Sequence, residues 1–86
     1  MSQHESFQVF YQTGAAWARA NEDLLAPFKA DMTQLEAEVR EIFNSEGFVE
    51  TVFQSLPMRL RVLLSRHPDI VERNFVDGVC DTIGSD

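Results

Sequence analysis

The chain has 86 residues and a formal net charge of −7, and 44% of its residues are hydrophobic. This length suits one domain with a small core, so we treat 1–86 as a single helical domain, and the hydrophobic content argues against a disordered chain. A strongly acidic protein is repelled by phosphate backbones, which argues against direct nucleic-acid binding. The same charge suits docking on a partner with a basic surface.

Localisation follows from features that the sequence lacks. Cys80 is the only cysteine, so no intrachain disulfide can form and nothing indicates an oxidising compartment. The first ten residues lack the basic segment and apolar run of a secretory signal. No run of about 18 apolar residues is present, so we expect no transmembrane helix. We therefore expect a cytoplasmic protein that binds no membrane.

The N-terminal half shows two helical repeats of apolar residues, separated by Pro27. The first predicts a helix over 3–25, which ends before the proline because proline lacks a backbone N–H. The second predicts a helix over 27–45, with Pro27 in its first position and Gly47 beyond its end. These two helices are expected to form a hairpin around Pro27. The alternative is one kinked helix, which would expose more apolar surface and require a dimer.

The second half carries three shorter helical patterns. Residues 46–55 place their apolar side chains on one arc, and although their β-branched content would suit a strand, the sequence offers no partner strand. Pro57 and Pro68 each suit a helix start, which gives helices over 57–66 and 68–83. The predicted fold class is therefore all-α, a small bundle of four to five helices, with two long N-terminal helices followed by three shorter ones.

Leucines and arginines alternate along residues 56–66. The four leucines of this segment lie within about 100° of one another on a helix, which predicts its buried side. The remaining faces carry a candidate partner-binding surface: Met58, Arg59, Arg61, Val62 and Arg66. Arginine is enriched at interfaces because its guanidinium binds carboxylates with two hydrogen bonds and its stem covers apolar surface. The simpler interpretation is that these arginines pair with the protein's own carboxylates.

The first predicted helix carries a second candidate surface, an aromatic face that contains a glycine: Phe7, Phe10, Tyr11, Gly14 and Trp17. A glycine inside a helix costs roughly 1 kcal/mol, so close packing against another helix would account for it. The simpler interpretation is ordinary core within the chain. The alternative is a homodimer seam or a groove for a partner helix, since aromatic residues are enriched at such surfaces.

The sequence contains no metal-binding or catalytic motif. The carboxylates of the second predicted helix lack the loop spacing of a calcium site, and no Glu-x-x-His pair of a di-iron bundle occurs. Cys80 has no histidine at a spacing that would indicate a nucleophile. We therefore assign no catalytic residue, no metal ligand and no cofactor.

Two hypotheses about function follow. The first is a non-enzymatic protein–protein interaction module, a small acidic regulator, adaptor or inhibitor that docks on another protein. In one version the partner has a basic surface, because the acidic excess lies in residues 1–50. The second is a small oligomeric helical enzyme or ligand-binding protein whose arginine cluster holds an anionic ligand. It requires Arg59, Arg66 and Arg73 to converge on a concave pocket.

Overall fold

The computed structural model describes residues 3–84, and the side chains of 7–84. Within this range the chain is all-helical and has no strand, as the sequence predicted. The elements in chain order are α1 (Gln3–Ala20), α2 (Glu22–Leu25), a 3₁₀ turn (Ala26–Phe28), α3 (Met32–Phe43), α4 (Phe48–Val52), α5 (Met58–Arg66) and α6 (Pro68–Gly84). None of these helices combines the length and the hydropathy that a bilayer crossing requires.

The first predicted helix is divided into α1 and α2, which raises the number of α-helices in the described range to six. Asn21 leaves the helical backbone at the division, with φ −125° and ψ 29°. Its side-chain amide donates a hydrogen bond to the carbonyl of Trp17 at 2.8 Å, which satisfies one of the carbonyls left over at a helix end. Such local bonds of asparagine compete with the helix.

The second predicted helix begins at Met32 rather than at Pro27. Asp31 is its N-cap, because a carboxylate oxygen of Asp31 accepts hydrogen bonds from the backbone N–H groups of Thr33 at 3.1 Å and Gln34 at 3.2 Å. These contacts satisfy two of the N–H groups that a helix start leaves without partners. Pro27 lies in the preceding 3₁₀ turn instead.

The two long helices are α1 and α6, from opposite ends of the chain, and they form the main helix pair of the fold. This differs from the expected hairpin of two long N-terminal helices. A Cβ atom added to Gly14 would overlap the carbonyl oxygen of Phe75, and one added to Gly78 would overlap that of Tyr11. The two helices therefore pack backbone against backbone, which requires glycine at both positions.

An aromatic cluster centred on Phe75 of α6 forms much of the core. The ring centroid of Phe75 lies 5.3 Å from that of Phe43, 5.7 Å from those of Trp17 and Phe48, and 6.0 Å from that of Phe53. The rings meet in tilted or edge-on arrangements, which aromatic pairs favour. Since α4 has only five residues, these ring contacts at its two ends fix its position on the core.

Candidate functional site

An open groove of about 480 Å³ lies between α4 and α5 and their flanking residues. We call it the α4–α5 groove. The residues that line it are Val49, Glu50, Phe53, Gln54, Met58, Arg61, Val62, Leu64 and Ser65. Most of these side chains are apolar, and the charged ones come one from each wall, Glu50 and Arg61. A concave apolar surface with a few polar groups is the usual form of a binding site in proteins.

Phe53 is the buried residue of the groove lining, with only 2% of its surface exposed, and we call it the floor of the groove. Its ring centroid lies 5.5 Å from that of Phe10 and 6.2 Å from that of Phe43, both edge-on. Contacts with two helices therefore hold this side chain in place. A groove whose floor is fixed needs little reordering when it is filled, which favours binding.

The α5 wall presents one face of its helix. Met58, Arg61, Val62 and Ser65 follow a spacing of three, four and seven residues, which brings them to the same side. Leu60 faces the other way and is buried in the core. Met58 exposes 69% of its surface and Val62 exposes 38%, so this wall offers apolar side chains to solvent. Exposed apolar residues gathered in one place are typical of interaction sites.

The three arginines of α5 are exposed and form no ion pair with any residue in the described part of the chain. Both salt bridges found there involve Arg40. A guanidinium nitrogen of Arg40 lies 3.0 Å from a carboxylate oxygen of Glu36, and another lies 3.3 Å from a carboxylate oxygen of Glu72. Glu36 and Arg40 lie four residues apart on α3, the spacing at which opposite charges meet on a helix surface. Residues 51–66 contain these three arginines and no carboxylate, so this stretch is positively charged within an acidic protein.

The α4–α5 groove brings together three of the five residues that the sequence indicated for partner binding: Met58, Arg61 and Val62. Arg59 and Arg66 are exposed on the same helix but do not line the groove. The prediction missed the opposite wall, where α4 contributes Val49 and Glu50 and the turn that follows it contributes Phe53 and Gln54. Helical periodicity had placed the apolar members of that wall on one arc of a helix. It does not indicate that two consecutive short helices leave a gap between them.

The aromatic face of α1 packs largely within the chain. Phe7 and Phe10 are buried, and Gly14 is buried against α6. Tyr11 and Trp17 are half-buried, and the ring of Trp17 lies edge-on to that of Phe48 with centroids 5.6 Å apart. A partner surface on this face would therefore have only the exposed edges of Tyr11 and Trp17 to offer.

A second depression, of about 690 Å³, lies beside α1, α3 and α6 and includes Tyr11, Cys80 and Asp81. The hydroxyl of Tyr11 donates a hydrogen bond to a carboxylate oxygen of Asp81 at 2.6 Å, and this bond raises the pKa of Tyr11 above its ordinary value. Partial burial and the nearby carboxylates of Glu36 and Asp77 raise the pKa of Cys80 to about 11. A thiol with so high a pKa is a poor nucleophile.

The ligand-binding alternative requires Arg59, Arg66 and Arg73 to meet in a concave pocket. None of the three lines the α4–α5 groove, where the one arginine is Arg61. Among the described side chains, those of residues 7–84, no group of three or more His, Cys, Asp and Glu is placed so as to hold a metal ion. No protein-family model matches the sequence, and comparison with curated proteins and with solved structures gives no significant match.

Proposed function

We propose that this protein is a non-enzymatic interaction module, a small acidic regulator, adaptor or inhibitor that docks on another protein through the α4–α5 groove. The observation that carries the proposal is the exposure of Met58 beside an arginine, Arg61, that has no ion-pair partner in the described chain. Full burial of a methionine side chain contributes about 1.5–3 kcal/mol. Since Met58 exposes 69% of its surface, a partner that covers it would gain most of that free energy and could also supply a carboxylate to Arg61.

The composition of the groove favours docking over catalysis. Its charged side chains are Glu50 and Arg61, and both are exposed to water. General acid–base chemistry draws on groups whose pKa is shifted by burial or by a close charged neighbour. Tyr11 and Cys80, whose pKa values are raised, line the other depression. The groove thus resembles a recognition surface in its chemistry.

Affinity capture from the native cell extract tests the proposal when three baits are compared. The baits are the wild-type chain, Met58→Asp in the groove, and Leu24→Asp as a matched control. Leu24 exposes 54% of its surface on α2, outside the groove, so its substitution changes charge and hydropathy in the same way. We expect a stoichiometric partner that the wild type and Leu24→Asp recover and that Met58→Asp loses.

Recovery of the same proteins by all three baits would contradict docking through the groove. Circular dichroism of each bait shows beforehand whether it is folded, and because both side chains are exposed, neither substitution should change the helical signal.

The dependence of the wild-type complex on salt concentration is a second test. In the version where residues 1–50 meet a basic surface, affinity should fall as ionic strength rises.

We propose homodimerisation separately, because a domain of this size has a small core and pairing commonly adds to it. Sedimentation velocity at high micromolar concentration should then show a dimer. A single monomeric species under those conditions would exclude it.

A further inference from the structure

We infer that the segment which docks in the α4–α5 groove is an acidic amphipathic helix, with an apolar side chain in the groove and carboxylates against the arginines of α5. This inference rests on the proposed docking function and adds the chemistry of the partner. It is the opposite of what the net charge of −7 would suggest for the protein as a whole.

The shape of the groove favours a helix as the occupant. Helices bind in grooves by inserting apolar residues spaced three and four apart, which form one stripe. The α4–α5 groove runs between two helices and has apolar side chains along both walls, including Val49 and Val62. Phe53, held by neighbouring rings, forms a fixed floor for the inserted side chain. A groove whose floor is already fixed favours an occupant that presents one stripe of apolar side chains, as an amphipathic helix does.

The charge of the groove selects among amphipathic helices. Arg61 lies in the lining, Arg59 and Arg66 are exposed on the same helix, and none of them has an ion-pair partner among the described residues. The carboxylate in the lining, Glu50, belongs to the opposite wall. A bound helix is therefore expected to carry Asp or Glu along the edge that faces α5 and neutral or basic residues along the edge that faces α4.

The rest of the surface argues against larger anionic partners. Outside residues 51–66 the chain holds four basic residues and 14 acidic ones. A nucleic acid or an anionic membrane is an extended phosphate surface, and the acidic excess of the rest of the chain opposes its approach. A single acidic helix in the groove meets α5 first, since charges beyond about 8–10 Å are screened at physiological salt. The observations therefore favour a peptide segment.

A display screen tests the inference. A yeast-displayed library of 18-residue helical peptides, with randomised apolar and charged positions, is sorted with the fluorescently labelled 86-residue chain. The matched baits are Arg61→Glu in the groove and Arg19→Glu at the exposed end of α1, which lower the net charge by the same amount. We expect enriched peptides with apolar residues at three- and four-residue spacing and with an excess of Asp and Glu. Their affinity should fall by about tenfold or more for Arg61→Glu, change little for Arg19→Glu, and fall less for Arg61→Lys.

Other results would overturn the inference in distinguishable ways. Enriched peptides that are basic or neutral, lost with Met58→Asp but kept with Arg61→Glu, would refute the acidic partner and leave docking in the groove intact. Peptides indifferent to Met58→Asp, or no enriched peptide at all, would count against both proposals. Binding of the wild type to vesicles with 30% phosphatidylserine, lost in Arg61→Glu, would assign this face to a membrane instead.

Discussion

Gly14 of α1 and Gly78 of α6 are reciprocal partners, since each faces the backbone of the residue three positions before the other. Gly14 meets the carbonyl group of Phe75, and Gly78 meets that of Tyr11. The contact allows the two longest helices to touch along their backbones, and it places Phe75 among the rings of the core.

Replacement of either glycine by alanine should destabilise the protein. In an exposed helix the change from Gly to Ala stabilises by about 0.5–1 kcal/mol, but here the added methyl group overlaps a backbone carbonyl and the helices must separate. Overpacking of this kind costs roughly 1–3 kcal/mol or more.

Urea denaturation of Gly14→Ala and Gly78→Ala measures this loss in the free energy of unfolding. Gly84→Ala is the control, because its added methyl group would meet only the flexible end of the Met32 side chain. Stabilisation by Gly14→Ala or Gly78→Ala would show that the backbones are not in contact.

The N-cap of α3 can be tested through Asp31. Its side chain accepts two backbone hydrogen bonds at the helix start, and Asp31→Ala removes both. We expect a loss of about 1 kcal/mol in the free energy of unfolding. Asp31→Ser retains an acceptor of similar reach and should recover most of the loss. Equal stability of the wild type and Asp31→Ala in thermal denaturation would mean that α3 starts elsewhere.

The phenol of Tyr11 should titrate at a higher pH in the folded protein than in the unfolded chain. The hydrogen bond to Asp81 favours the protonated phenol and raises its pKa from the ordinary value of 10.0. Its contribution to stability is therefore complete below pH 10 and is lost as the pH rises through the folded-state pKa. Tyr11 is the only tyrosine, so absorbance at 295 nm reports it directly. In Asp81→Asn the midpoint should fall towards 10, and an unchanged midpoint would refute the assigned cause.

Cys80 should react slowly with thiol reagents in the native state. At pH 8 a thiol with a pKa of about 11 holds roughly two orders of magnitude less thiolate than an ordinary cysteine, and its partial burial restricts access further. The rate with Ellman's reagent in buffer, compared with that in 6 M guanidinium chloride, gives the ratio. Because burial is the main cause, Glu36→Gln should increase the native rate only modestly. Equal rates in the two solvents would place the thiol at the surface.

The sequence predicted helix boundaries best where a proline stands at the start of a helix. The predicted helices over 57–66 and 68–83 correspond closely to Met58–Arg66 and Pro68–Gly84, because one follows a proline and the other begins at one, and proline suits a helix start. The division at Asn21 was missed, since the apolar repeat continues through it to the buried Leu25. A side-chain bond to the backbone decided that boundary, and periodicity does not record such bonds.

Pairing between distant elements was beyond what periodicity could reveal. The glycine in α1 was recognised as unusual, but its partner in α6 has no hydrophobic side chain and so left no mark in the apolar pattern. The same holds for the α4–α5 groove. The sequence identified one face of α5 from Met58, Arg61 and Val62. The position of the opposite wall depends on how α4, a helix of five residues, packs against the aromatic core, and the sequence pattern does not show this.

Because Trp17 lies edge-on against Phe48, the intrinsic fluorescence of Trp17 should report on the position of Phe48. Trp17 is the only tryptophan, and Phe48 is the first residue of α4, next to Val49 in the groove wall. Indole emission depends on the rings and solvent around it, so any displacement of α4 should change the colour or intensity of the fluorescence. Occupation of the groove can thus be followed in unlabelled protein, with peptides that contain no tryptophan.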